Sequence, residues 1–463
     1  MHHKCGHDNA HAAEGRRGDS DMTDTSLPGA AARATDTLLD TAYRRIFWRL
    51  IPILMVLWVL AWVDRVNISF AKLQMADELR FSEAVYGLGA GIFYIGYLLF
   101  EVPSNLLLQR IGARKTIARI AIGWGTICAL MSYATTPTTF YILRFLLGAF
   151  EAGFFPGVIL FLTQWFPSER RAKVFGIFMS SVALSGVIGG PLAGQIMTGM
   201  QGIGGLSGWQ WLFIVEGIPT ILIGLFALAW LTDRLEQAHW LSDEERSAVR
   251  EDLERDARSL GPREHGFSTV LRDPRLWIFT LVYFCIIVAN ATVAFWGPTI
   301  MREAGFGHVA TIGWLVSGAS LVGSAVMIGN GLMADRTGRP LLQCVGSLIV
   351  GALGLAGVAF ALHGSPQMVV VLFALALAGA YGAIPVFWQL PNRLFAGTAA
   401  AAGIAIINSF GNLGGFLAPY GLGLLKDATG QIAPGLVAVA VVEALAALII
   451  LMVVQRFFAR RRA

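Results

Sequence analysis

The chain has 463 residues, 55% hydrophobic and only 14% charged, with a net charge of +5. A water-soluble domain carries roughly 25% charged residues, so a soluble globular fold is excluded, and a net charge this small makes no case for nucleic-acid binding. The 53 glycines suit helices that pack closely inside a bilayer.

Residues 1–42 are polar and lack the apolar segment of a cleavable signal peptide. They are expected to form a disordered cytoplasmic tail, with Met22 an alternative start to Met1. His2, His3, Cys5, His7 and His11 belong to that tail and are not read as a metal site. The other cysteines, Cys128, Cys285 and Cys344, lie in apolar runs without metal-ligand spacing and read as packing residues. No metal and no cofactor is expected.

Spanning a bilayer takes about 20 mostly apolar residues. Runs of this kind fall at 46–71, 84–108, 116–134, 138–164, 172–198 and 209–231, then at 276–301, 309–332, 340–362, 367–391, 398–425 and 433–457. The expected fold is all-α and integral to the membrane, with twelve transmembrane helices as two pseudo-symmetric bundles of six, at 43–231 and 276–457. A charged linker, 232–275, joins them and holds a soluble helix over 242–259, opened by Ser242 with Glu245 at capping-box spacing. A basic tail, 458–463, ends the chain.

Lys and Arg in short loops set orientation. One side of the membrane receives Arg110, Arg114, Lys115, Arg119, Arg170, Arg171, Lys173, Arg336, Arg339, Arg393 and the C-terminal arginines; the other receives Lys72, Arg80, Arg302 and Lys426. The first side is therefore the cytoplasm, with both termini and the central linker on it.

A repeat relates the halves. Asn105-Leu-Leu-Leu-Gln109-Arg110-Ile-Gly112-Ala-Arg114-Lys115 follows the second helix, and Gly331-Leu-Met-Ala-Asp335-Arg336-Thr-Gly338-Arg339-Pro340 follows the eighth. Glycine turns the chain, and the cations sit at helix ends near lipid headgroups. These segments resemble the cytoplasmic loop motif of the major facilitator superfamily, with Gln109 standing where Asp is usual. The resemblance covers residues 44–457 and implies its fold and transport by alternating access. A narrower resemblance, to the anion:cation symporter family, rests on Asp64-Arg65-Val-Asn67-Ile-Ser69, on Tyr97 to Asn105, and on Arg144-Phe-Leu-Leu-Gly148-Ala-Phe-Glu151-Ala-Gly153-Phe-Phe-Pro156 continuing into Trp165-Phe-Pro167-Ser-Glu169-Arg170-Arg171-Ala. It implies a bacterial inner-membrane carrier of tartrate, other hydroxy or sugar acids, or aromatic acids, and places Trp388 and Asn408 facing the substrate. Val182 beside Ser181 stands where some sugar-acid carriers have Gln.

Ionisable residues at bilayer depth are costly, usually paired and usually functional. Arg144 and Glu151, seven apart, share one helix face. Asp64 and Arg65 are neighbours and cannot share a face, yet both can line a cavity wall. Arginine offers a planar donor fork for a carboxylate, so Arg65, Tyr97 and Arg144 are the candidate substrate ligands, with Asp64 and Glu151 as proton carriers. A purely structural role for these charges, as bridges between helices one and four, is the competing reading. Glu101 divides evenly between pairing and function; Glu216 and Glu443, on outer helices, are unassigned. Tyr283, Asn290, Trp296, Tyr381, Trp388, Gln389, Asn408 and Asn412 supply the second half with aromatics and amides. Gly186, Gly189, Gly190, Pro191 and Gly194 read as a helix-packing stripe.

The expected function is proton-coupled symport of a small organic carboxylate by a monomer. Alternatives are efflux or anion exchange by the same fold, and a membrane-embedded enzyme or receptor. No nucleophile–base set or metal spacing supports the enzyme.

Overall fold

The computed structural model describes residues 27–260, 271–394 and 397–459. The N-terminal His/Cys cluster and Arg460, Arg461 and Arg462 lie outside the described residues. Among those described there is no strand. The helices are α1 (Leu27–Val66), α2 (Ile68–Leu79), α3 (Glu83–Ile111), α4 (Ala113–Leu130), α5 (Pro137–Glu151), α6 (Phe154–Thr163), α7 (Ser168–Gly199), α8 (Gly208–Trp230), α9 (Asp243–Leu260), α10 (Pro274–Glu303), α11 (Val309–Thr337), α12 (Pro340–Ala361), α13 (Pro366–Leu394), α14 (Gly397–Gly411), α15 (Gly414–Thr429), α16 (Ala433–Ile449) and α17 (Gln455–Ala459).

Among the described residues, eleven helical segments are long and apolar enough to cross a membrane. The twelfth span is α14 followed by α15, interrupted at Asn412 and Leu413, so the run expected to be continuous over 398–425 is broken. Helix four is also broken rather than continuous over 138–164: α5 stops at Glu151, Ala152 is extended, and Gly153 has φ +86° before α6 begins. A side chain at Gly153 would be strained by that φ and would meet Ser104 Oγ at 2.5 Å.

The first helix differs most from the expected tail boundary at residue 42, because α1 already starts at Leu27. Leu39, Ala42 and Tyr43 are buried, and Tyr43 Oη donates to Asp252 on α9 at 2.8 Å. Packing against the soluble helix thus extends the first span beyond its apolar run. The predicted capping box opens α9: Glu245 N donates to Ser242 Oγ at 3.1 Å, and Ser242 N donates to Glu245 Oε2 at 2.9 Å. Asp256 on α9 accepts from Ser168 N at 3.0 Å and from Ser168 Oγ, capping α7, and these donors lower its carboxyl's affinity for a proton.

The six spans before α9 and the six after it meet along two seams. In one, α3 lies on α15: Gly87 approaches Pro419, and Gly423 approaches Glu83. In the other, α7 lies on α11, where Gly190 faces Gly313 and Gly194 faces Ala310, so the glycine stripe is a packing surface as expected. Both seams lie toward the end of the bundle away from the two loop motifs. There Lys426 reaches Glu83 and Glu303 at 2.6 Å each, and Arg302 reaches Asp77 at 3.2 Å. The halves are closed on each other at this end.

A Cβ at Gly190 would lie 2.4 Å from the Gly313 carbonyl oxygen. Overpacking of this kind costs about 1–3 kcal/mol. Gly190→Val should therefore weaken closure: the yield of a disulfide between cysteines introduced at Glu83 and Lys426 should fall at least about fivefold. An unchanged yield would show that this seam does not hold the closed end.

Candidate functional site

Asp64 and Arg65, one residue apart on a helix, point to different faces, and they enter different environments. Arg65 turns toward α5 and forms an ion pair with Glu151. Its guanidinium carbon also lies 4.8 Å from the Trp62 ring centroid, 5.0 Å from Phe93 and 5.5 Å from Tyr97. Glu151 is held there because it is the last residue of α5, beside the break at Ala152–Gly153.

Arg144, two turns earlier, is fully buried. It donates Nε to the Gly89 carbonyl at 3.1 Å and Nη2 to the Ala90 carbonyl at 3.4 Å. The two arginines and Glu151 thus gather where α1, α3 and α5 meet. Arg65 Nε, Arg144 Nη1 and Glu151 Oε2 are buried without a hydrogen-bond partner. Two guanidiniums and one carboxylate leave an excess positive charge with idle donors.

Tyr97 connects this centre to a cleft between the halves, lined by Tyr94, Tyr97, Leu98 and Glu101 of α3 and by Ser409, Asn412 and Leu413. Asn408 stands one turn before Asn412, whose N–H donates to the Asn408 carbonyl at 2.9 Å. Trp388 is partly buried and packs with Tyr283 and Phe387, at centroid distances of 4.8 and 5.4 Å.

Several amides expected near a solute are engaged in packing. Asn290 Nδ2 donates to the Ala380 carbonyl at 3.0 Å and the Ile286 carbonyl at 2.9 Å. Gln389 Nε2 donates to Asp335 at 2.9 Å, next to the second loop motif.

Asp64 departs from the expected cavity wall. It is fully buried between α1, α4 and α8. Its Oδ2 accepts from Trp124 Nε1 at 2.8 Å and Thr220 Oγ1 at 3.5 Å, and its Oδ1 accepts from Cys128 Sγ at 3.4 Å. Glu216 of α8, unassigned from sequence, belongs to the same network: its Oε2 accepts from Asn67 Nδ2 at 2.7 Å. The available signal was its ionisable side chain at bilayer depth; what hid it was its place on an outer helix.

Lys72 was also missed. Expected in an external loop, it is 1% exposed, 2.5 Å from Glu83 and 3.9 Å from the Trp296 ring centroid.

The loop motifs turn where predicted, with Gly112 at φ +90° and Gly338 at φ +65°. Their environments differ. Asp335 has its own half's Gln389 as partner. Gln109 stands in the matching place of the first copy, and that copy's carboxylate comes from elsewhere: Arg114 N donates to Asp233 Oδ1 at 2.7 Å. Arg110, Arg336 and Arg339 are exposed, and Gly331 packs near Pro385.

Membrane-spanning helices arranged as two halves, closed at one end and holding a cluster of buried charges within the first half, define a membrane transporter. The chain matches the Major Facilitator Superfamily model over residues 53–419 and belongs to that superfamily. It is 43% identical over 412 residues to a putative tartrate transporter of Agrobacterium vitis, covering 88% of this chain and 94% of the relative. It is 42% identical over 398 residues to a quinolone resistance transporter of Acinetobacter baumannii, covering 85% and 90%. In fold it is similar to a solved D-xylose–proton symporter, with a TM-score of 0.71 at 15% identity, covering 88% of this chain and 97% of that one. The relatives are transporters, and the chain is a multi-pass membrane transporter rather than an enzyme.

Proposed function

We propose that the protein carries a small organic carboxylate into a bacterium together with protons, by alternating access about the Arg65–Arg144–Glu151 centre. The observation that carries this reading is the buried surplus of guanidinium charge with unpartnered N–H groups, since a carboxylate fits a planar donor fork. Substrate competes with Glu151 for Arg65. Displacing Glu151 from its cation favours its protonated form, so anion and proton bind cooperatively and reciprocally. The likeness to a tartrate transporter supports a hydroxy acid as cargo; Trp388, Tyr97 and Asn408 also suit an aromatic acid. Thermal-shift measurements on the purified protein against a carboxylate library, followed by uptake into proteoliposomes, test the reading. Stabilisation by no carboxylate would remove it.

Efflux or exchange is a second reading, favoured by the likeness to a quinolone resistance transporter. Proteoliposomes loaded on one side decide between the directions.

We further propose that the loop motifs, both termini and α9 face the cytoplasm of the bacterial inner membrane, on the strength of the arginine bias. Reporter fusions at residue 250 and at the C-terminus should both report the cytoplasm; an external signal from either would reject this orientation.

A further inference from the structure

Glu216 and Asn67 hold two buried polar atoms for which the transport site has no use. Glu216 is 2% exposed and Asn67 2%. The Asn67 amide donates Nδ2 to Glu216 Oε2 at 2.7 Å. Of the same two side chains, Glu216 Oε1 and Asn67 Oδ1 are buried without a partner. Both are acceptors if Glu216 is ionised, so neither can then satisfy the other. A proton on Oε1 makes it a donor, which allows the carboxylic acid and the amide to bond through both pairs of atoms.

The charge balance around it points the same way. The groups facing the two carboxyls are Asn67 from the α1–α2 junction, Trp124 and Cys128 from α4, and Thr220 from α8; all are neutral donors. Glu151, whose charge also reaches Asp64, is negative and is paired with Arg65 on the other face of helix one. Asp64 accepts from three donors, Glu216 from one. Two carboxylates in such a pocket, at bilayer depth and without a cation, would each bear an uncompensated desolvation cost.

We propose that Glu216 is a protonated carboxylic acid paired through two hydrogen bonds with Asn67, and that with Asp64 it forms one buried proton site, separate from the Arg65–Glu151 centre, that always holds at least one proton. The proton comes from bulk water and no other bond changes. Glu216 is then a positioning residue: it keeps a second negative charge away from Asp64, so that Asp64 can gain and lose the exchanging proton. The role of Asp64 in transport rests on the proton-coupled reading above; the protonation of Glu216 does not.

The test is infrared difference spectroscopy of the purified full-length protein at neutral pH, wild type minus Glu216→Gln. Glutamine preserves the double hydrogen bond to Asn67, so the variant should fold with unchanged thermal stability. The expected result is loss of one carbonyl band of a protonated carboxylic acid, and a shift of that band in Asn67→Ala. Loss of carboxylate bands instead, with the protonated band intact, would overturn the proposal whether or not the protein carries carboxylates. In proteoliposomes, Glu216→Gln, which keeps the neutral pair with Asn67, should leave both substrate counterflow and the pH dependence of uptake as in wild type. A changed pH dependence in Glu216→Gln would show that Glu216 itself gains and loses a proton and would overturn its positioning role.

Discussion

Replacing Arg144 with alanine should lower affinity for the carried anion by about 30-fold or more, because truncating one partner of a buried charged contact costs about 2–5 kcal/mol. Arg144 is the cleaner of the two arginines to test. Its partners are backbone carbonyls of α3, so removing it strands no carboxylate. Arg65→Ala leaves Glu151 buried and unpaired, which costs about 3–5 kcal/mol of stability by itself. Arg65→Ala is therefore best made together with Glu151→Gln. Arg144→Lys keeps the charge and loses the fork, so it too should weaken binding. Binding is read by thermal shift or by radiolabelled substrate in detergent. Wild-type affinity in Arg144→Ala and in the Arg65→Ala, Arg144→Ala double variant would end the anion-site assignment.

The second large effect is expected at Glu151. Each proton coupled across a gradient of one pH unit supplies about 1.4 kcal/mol, enough for about tenfold accumulation. Glu151→Gln should retain counterflow exchange and lose accumulation driven by the pH gradient, bringing the ratio of internal to external substrate to about one. The geometry separates Glu151 from Asp64. Glu151 shares Arg65 with the incoming anion, whereas Asp64 sits on a different face of helix one among Trp124, Cys128 and Thr220. Asp64→Asn should therefore disturb pH dependence without a large change in substrate affinity. If both neutral variants concentrate substrate with wild-type pH dependence, coupling lies elsewhere, and Glu101, which lines the cleft, is the next residue to change.

Much of this protein was legible in the sequence, because the bilayer imposes a local rule. Each span must satisfy its own backbone hydrogen bonds and present about 20 apolar residues to lipid, so the helices, their number and the arginine asymmetry can be read along the chain. The loop motifs were equally legible, since a turn at Gly112 or Gly338 depends on local φ. So was the capping box of α9, whose two hydrogen bonds close within four residues.

What only the tertiary structure decided is partnership. Adjacent residues 64 and 65 part company because a helix turns about 100° per residue, and nothing local states which neighbouring helix lies on each side. Hence Arg65 meets Glu151 of α5, Asp64 meets Trp124 of α4, and Glu216 of α8 joins them through Asn67. The breaks at Ala152–Gly153 and at Asn412–Leu413 were hidden for the same reason. Hydropathy remains continuous across them, while the backbone there is set by what packs alongside, such as Ser104 against Gly153. The continuation of α1 ahead of its apolar run is likewise supported from outside, by the contact of Tyr43 with α9. Composition and period determined the spans; long-range packing, which composition does not encode residue by residue, determined which charges face one another.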